Sequence, residues 1–272
     1  MRYLLLIVIL TSINCALFAQ DTIRLSKYAG NLKTLEVTIK DKKYKFLFDT
    51  GGGETFVSPE IAMLFGRDVY GNNTGFRMHG EKITYKRTDS IFLSLNNTKL
   101  FFESAGVWDL MSILPADFPK LYGIISLKSF SQNILTINLK DNYLIVENKN
   151  SYKKRIQKMN LVNSFFANGL DGREVNIFVG VNKGSHTYRF LFDSGNIGEM
   201  LLSNQTAFEW GLIKDTSSQN KEPLTVNFYL GKKHITNTAL PSNIIYDGAL
   251  NFAIISKYIF TINFQKKEIW IN

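Results

Sequence analysis

"FLFDTGGGETFVS" (Phe46 to Ser58) and "FLFDSGNIGEMLLS" (Phe190 to Ser203) are the two stretches on which the reading of the fold turns. Each runs an apolar strand into an aspartate, a hydroxyl residue and a glycine. An aspartate directly after three apolar residues is costly if it is buried alone. Two such aspartates can solve that problem for each other, so the surroundings of the two stretches matter.

Those surroundings match. "VTIKDKKYKFLFDTG" (Val37 to Gly51) and "VGVNKGSHTYRFLFDSG" (Val179 to Gly195) each read as a β-hairpin whose second strand delivers the aspartate. A short helix follows in each. Ser58 is the expected N-cap, with Pro59 at the first helical position and Gly66 as the stop; Ser203 and Gly211 play the same parts in the second copy. Both copies also close alike. "FSQNILTINLKDNYLIVEN" (Phe130 to Asn148) matches "ISKYIFTINFQKKEIWIN" (Ile255 to Asn272), with Thr136 and Thr261 among the coincident residues. Before each ending lies a glycine in an apolar run, Gly123 in "LYGIISL" and Gly248 in "YDGALNF". Two long copies mean a pair of pseudo-symmetric lobes rather than a solenoid. The expected organisation is a lobe over 20–148, a basic linker over 149–159 and a second lobe over 160–272.

The bulk numbers fit. The chain has 272 residues, 45% of them hydrophobic and 13% aromatic, enough for packed cores and against disorder. Residues 1–19 read as a signal peptide: Arg2, an apolar run from Tyr3 to Leu10, and Ala19 before a cut at Gln20. An exported protein, periplasmic or secreted, follows. The alternatives are a retained anchor and a lipid anchor on Cys15, the sole cysteine. The net charge is +9, and its densest run is Asn148 to Lys158. No nucleic-acid-binding module accompanies it, so it reads as a solvated linker and no nucleic-acid partner is expected. His79, His186 and His234 stand in no catalytic or metal-ligand spacing, and each reads as a surface or turn residue.

With the repeat in view, the pattern resembles the aspartic proteases, and most of all the retropepsin-like and pepsin-like proteins of bacteria in their tandem two-lobe form. The resemblance rests on both Asp-hydroxyl-Gly loops, the helix after each and the closing strands. It implies an all-β, mostly-β fold with short helices, two barrel-like lobes and the active site between them. Asp49 and Asp193 would then face each other at hydrogen-bond distance. Like charges that close cannot both ionise, so the pair shares a proton and supplies one base and one acid, a division of labour for which the aspartic proteases are the familiar example. The resemblance gives Thr50 and Ser194 the task of locking the two loops together, and Gly51 and Gly195 that of turning them. It implies an endopeptidase working as a monomer without metal or cofactor, its peptide or protein substrate lying as an extended strand.

Four positions depart from the family pattern. Ser126 and Asn251 stand where glycine is usual, close to the active loops. Gly52 and Asn196 follow the loops where a hydroxyl residue or alanine is common, so a side-chain donor is expected only beside Asp193, from Asn196. The first copy carries 20 more residues than the second between helix and closing strands. They are expected as a flap over Val69 to Ser90, with Phe76 or Tyr85 as its contact residue, or in the rival stretch Val107 to Gly123. Glu54 and Glu199 read as solvated or helix-entry acids, or as cleft residues. Two other functions stay open: a catalytically inactive peptide-binding envelope protein of the same fold, and a two-carboxylate hydrolase of another kind, such as a glycosidase.

Overall fold

A computed structural model describes residues 20–217 and 222–272. The signal peptide expected over 1–19, and Cys15 with it, lies outside the described residues. The fold is mostly β and two-lobed, as expected. Strands between Ser26 and Ser126 form an eight-stranded sheet, and strands between Ser164 and Leu250 form a seven-stranded one. A six-stranded sheet joins the halves, and each half gives it three strands.

The two lobe sheets repeat one wiring. In the first, Lys42–Asp49 lies parallel to Gly123–Ser126, with Asp49 opposite Ser126. In the second, His186–Phe192 lies parallel to Gly248–Leu250, with Phe190 opposite Gly248. The downstream glycines have a packing cause. A Cβ on Gly123 would sit 2.4 Å from the Phe46 ring, and one on Gly248 2.7 Å from the Phe190 ring. Phe46 and Phe190 are the equivalent first residues of the two "FLFD" runs, and both are fully buried. Each copy thus packs a phenyl ring against a residue that has no side chain.

The joining sheet displays the two-fold directly. Ile134–Asn138 runs antiparallel to Phe260–Asn263, and Thr136 is paired with Thr261. These threonines are each other's equivalents in the repeat, and their hydroxyls meet at 2.8 Å. An equivalent pair directly opposed in an antiparallel ladder lies on the pseudo-two-fold axis.

The linker expected over 149–159 is a helix for most of its length. Lys149–Ile156 is helical because Asn148 and Ser151 cap it reciprocally. It is also anchored: Tyr152 is buried and donates its hydroxyl to Glu268 at 2.8 Å, and Arg155 pairs with buried Glu147. The basic run therefore braces the joining sheet, and only its outward lysines are solvated.

Candidate active site

Both aspartate loops come to the floor of one cleft of about 720 Å3 between the lobes. The loops lock across the axis. Thr50 Oγ1 donates to the Phe192 carbonyl at 2.8 Å and accepts from Ser194 N at 2.8 Å, while Thr50 N donates to Ser194 Oγ at 3.1 Å. This is the cross-lobe role expected of Thr50 and Ser194. Gly51 and Gly195 do more than turn the chain. A Cβ on Gly51 would lie 2.4 Å from the Asp193 carboxyl carbon, and one on Gly195 2.8 Å from Asp49 Oδ1. Each glycine leaves open the space that the opposite carboxyl fills.

The two carboxyls are hydrogen-bonded to each other. Asp193 is 8% exposed, and Asp49 is half-buried, open only towards the cleft. Burial raises the Asp49 carboxyl above its ordinary value; N–H groups of Gly51 (2.9 Å), Gly195 and Gly52, and the bond from Asp193, pull it back down. Burial, and next the negative charge of Asp49, hold Asp193 well above the ordinary range, against N–H groups of Gly195 (2.8 Å) and Asn196 (3.1 Å). Both carboxyls are thus held above the ordinary range, and the pair keeps a shared proton to a higher pH than a lone aspartate would.

The donor pattern differs from the expectation. The Asn196 side chain turns away from Asp193 and donates to the Glu199 carbonyl at 3.1 Å, so only its backbone N–H serves the carboxyl. Gly52, which has no side-chain donor to offer, contributes its backbone N–H to Asp49. The richer set of backbone donors thus serves Asp49. Gly52 also leaves room: a Cβ there would stand 3.5 Å from Asp49 Oδ2.

Ser126 and Asn251 do not disturb the loops. Ser126 is fully buried and shares a hydrogen bond of 3.0 Å with Thr55 Oγ1. Asn251 donates to the Gly198 carbonyl at 2.7 Å and caps the helix Phe252–Ile255 by accepting from Ile254 N. Each larger side chain ties its strand to the segment that follows the aspartate loop. Glycine at 251 would leave the Gly198 carbonyl without this donor, whereas Thr55 Oγ1 would keep its second bond, to Ser129 Oγ at 2.7 Å.

The extra length of the first lobe is divided between both stretches expected to hold it. Tyr70–Phe76 and Lys82–Leu95 form a hairpin, the second strand 14 residues long against 7 for Leu224–Leu230 in the other lobe. The stretch from Val107 to Gly123 holds a 3-10 turn at Leu110–Ile113, and Trp108 and Ile113 face the cleft. The hairpin tip crosses to the second lobe. The Met78 carbonyl accepts from Ile245 N at 3.0 Å, and His79 Nδ1 lies 3.1 Å from the Asn243 carbonyl. Phe76 and Tyr85 both line the cleft beneath the tip; Phe76 is 48% exposed, whereas Tyr85 is packed edge-on against Phe56. Burial pushes the Tyr85 phenol up to about 12.

One group of site residues escaped the sequence reading. Glu54, expected to be a solvated or helix-entry acid or a cleft residue, does line the cleft, but it is buried there and pairs with Arg87 at 2.8 Å and Lys128 at 2.6 Å. Arg87, fully buried in the hairpin strand, also reaches Asp171 of the second lobe at 2.8 Å. The signal was present: Tyr85 and Arg87 share the inward face of an alternating strand, and a cation on an inward face calls for a buried acid. Glu199 lies outside the cleft wall and accepts from Thr238 Oγ1. Among the described residues, no group of three or more His, Cys, Asp or Glu is placed to hold a metal ion.

No protein-family model and no curated protein matches the sequence. Solved structures do match. The chain is similar to the basic 7S globulin from soybean, with a TM-score of 0.59 and 8% identity over 94% of this chain and 95% of that one. It is similar also to conglutin gamma, a unique basic 7S globulin from lupine seeds, with a TM-score of 0.60 and 8% identity over 93% and 94%. These likenesses establish the two-lobed β fold. They correct the family expected from the motifs: the structural neighbours are basic 7S globulins, and the assignment to the retropepsin-like and pepsin-like proteases is withdrawn. The physical reason is that the resemblance rested on local patterns, the two Asp-hydroxyl-Gly loops, the capped helix after each and the closing strands, which satisfy local demands of turn, cap and strand alternation. A fold can carry these without belonging to the family that made them familiar.

Proposed function

We propose that the chain is an exported endopeptidase that hydrolyses peptide bonds with a water activated between Asp49 and Asp193. The observation that carries this reading is the meeting of two hydrogen-bonded carboxyls, one from each lobe, on the cleft floor, each against the glycine of the opposite loop. In the proposed reaction, Asp49 takes a proton from the water as its oxygen attacks the peptide carbonyl carbon. Asp193 gives its proton to the carbonyl oxygen, leaving a neutral gem-diol. Collapse of that diol breaks the C–N bond; the leaving nitrogen takes the proton from Asp49, and a diol hydroxyl returns one to Asp193. The substrate lies as an extended strand between the hairpin and the cleft floor, held by backbone hydrogen bonds. One chain supplies both carboxyls, so a monomer suffices.

The partners found for Ser126 and Asn251 also support this reading, because those two departures were the main motive for an inactive protein. The test is cleavage of casein or a peptide library, blocked by a statine-type transition-state mimic. Asp49→Asn and Asp193→Asn, each alone, are expected to cost at least about a hundredfold in rate while the fold is kept. Retention of more than about a hundredth of the wild-type rate by either variant rules out acid–base work by the pair.

A further inference from the structure

The cleft wall contributed by the second lobe holds an acid that the proposed reaction does not use. Glu174 lines the cleft beside the first aspartate loop: a Cβ on Gly53 would stand 2.9 Å from its Oε2. Its backbone N–H is tied to the Asn168 carbonyl at 3.0 Å, and the neighbouring Val175 N–H reaches across to the Gly53 carbonyl at 2.9 Å, so the acid stands on a fixed segment. Its carboxylate accepts from the Asn176 amide at 2.9 Å. It forms no ion pair among the described residues, in a chain whose net charge is +9.

Its surroundings suit a cation. Tyr85 and Tyr246 line the same cleft as Glu174, from the first and second lobes. Phe178 packs against Tyr246 with ring centroids 5.0 Å apart and lines the same wall. A carboxylate in a cleft that is also lined by aromatic rings offers an ammonium or guanidinium group both a charge-assisted hydrogen bond and ring faces. Of the glutamates that line the cleft, Glu54 already has Arg87 and Lys128 and Glu81 stands on the hairpin turn, whereas Glu174 stands on the fixed wall of the second lobe with only an amide as partner.

We infer that Glu174 selects peptides carrying a lysine or arginine side chain at one fixed position along the bound strand. This rests on the peptide-cleft reading above and names the substrate class it takes. Glu174 is a specificity residue: it touches a side chain of the substrate and not the reacting atoms.

The experiment uses matched peptides with lysine, acetyl-lysine or glutamine at each position. Cleavage is measured with the wild-type chain, and binding with Asp193→Asn. At one position lysine is expected to be favoured about tenfold over acetyl-lysine, a step of about 1.4 kcal/mol. Glu174→Gln, which keeps an acceptor for Asn176, is expected to erase that ratio without lowering the melting temperature. The acetyl-lysine comparison needs no variant of Glu174 and stands if that variant folds poorly. Equal handling of lysine and acetyl-lysine at every position, a ratio unchanged in Glu174→Gln, or no peptide binding at all overturns the inference. Lysine-selective binding without cleavage upholds it and sinks the hydrolysis reading; cleavage without lysine preference does the reverse.

Discussion

At the scale of single residues, the pair of aspartates makes opposite demands on activity and stability. Asp193 keeps its proton in the folded chain to a pH well above the ordinary aspartate value of 3.8, chiefly because it is buried. The unfolded chain releases that proton first as pH rises. The group's favourable share of stability is therefore complete below pH 3.8 and is lost as pH climbs through the window up to the raised value. Asp193→Asn cannot ionise, so it should melt higher than wild type at pH 7, with the difference closing at acid pH. Thermal melts of both proteins from pH 3 to 8 check this; a variant that melts lower at pH 7 refutes it. The rate should respond differently. Asp49 must be ionised to act as base, and its value is also raised above 3.8, so the acid limb of the pH–rate profile should have its midpoint above pH 3.8. Gly52→Ser places a hydroxyl near Asp49 Oδ2, where a Cβ already stands at 3.5 Å, and a donor to that oxygen should move the limb to lower pH. A limb centred below pH 3.8 in wild type, or one unmoved in a folded Gly52→Ser protein, counts against this account of the donors.

At the scale of elements, the tip of the hairpin Tyr70–Phe76 and Lys82–Leu95, beyond the buried Arg87 that anchors its second strand, is lightly held. It touches the second lobe through one backbone hydrogen bond at Met78 and one polar contact at His79, so opening it breaks little. Limited proteolysis should cut at Arg77 to Glu81 in the free protein, and a bound transition-state mimic should protect that turn; protection confined to Val107–Gly123 would move the lid to the rival stretch. The elements also show what sequence can and cannot disclose. The paired hairpins, the helices after Ser58 and Ser203 and the closing strands were legible because strand alternation and caps are local signals. The helix Lys149–Ile156 was not, because charged and polar residues surround its one anchoring aromatic, Tyr152, and only the reciprocal Asn148–Ser151 cap betrays it. In the site, the aspartates and the hydroxyl residues that cross-link them could be named from the repeat. The burial of Glu54 could not, since its partners Arg87 and Lys128 lie 33 and 74 residues further along the chain. Nor could the rotation of the Asn196 amide, which depends on where the Glu199 carbonyl falls.

At the scale of the molecule, the lobes share more than a cleft. Their sheets are joined by backbone hydrogen bonds between Ile134–Asn138 and Phe260–Asn263, by the loop cross-links at Thr50 and Ser194, and by Arg87 reaching Asp171. The fold is continuous through this seam, and likeness to the basic 7S globulins extends over both lobes. The seam also has an implication for the halves taken separately. Because Thr136 meets its own equivalent there, the exposed edge Ile134–Asn138 of a severed first half is the closest available imitation of the edge it has lost. Residues 20–148 alone should therefore pair with a second copy of themselves, placing two Asp49 carboxyls where one Asp49 and one Asp193 now stand. Adding residues 160–272 should displace that homodimer, since each half then regains the neighbour to which its side chains are fitted. Sedimentation of the two fragments, apart and mixed, reads this out: a first half that stays monomeric at tens of micromolar would mean that the edge cannot template itself. A first half that dimerises shows that one chain holds, in latent form, the parts of a symmetric assembly.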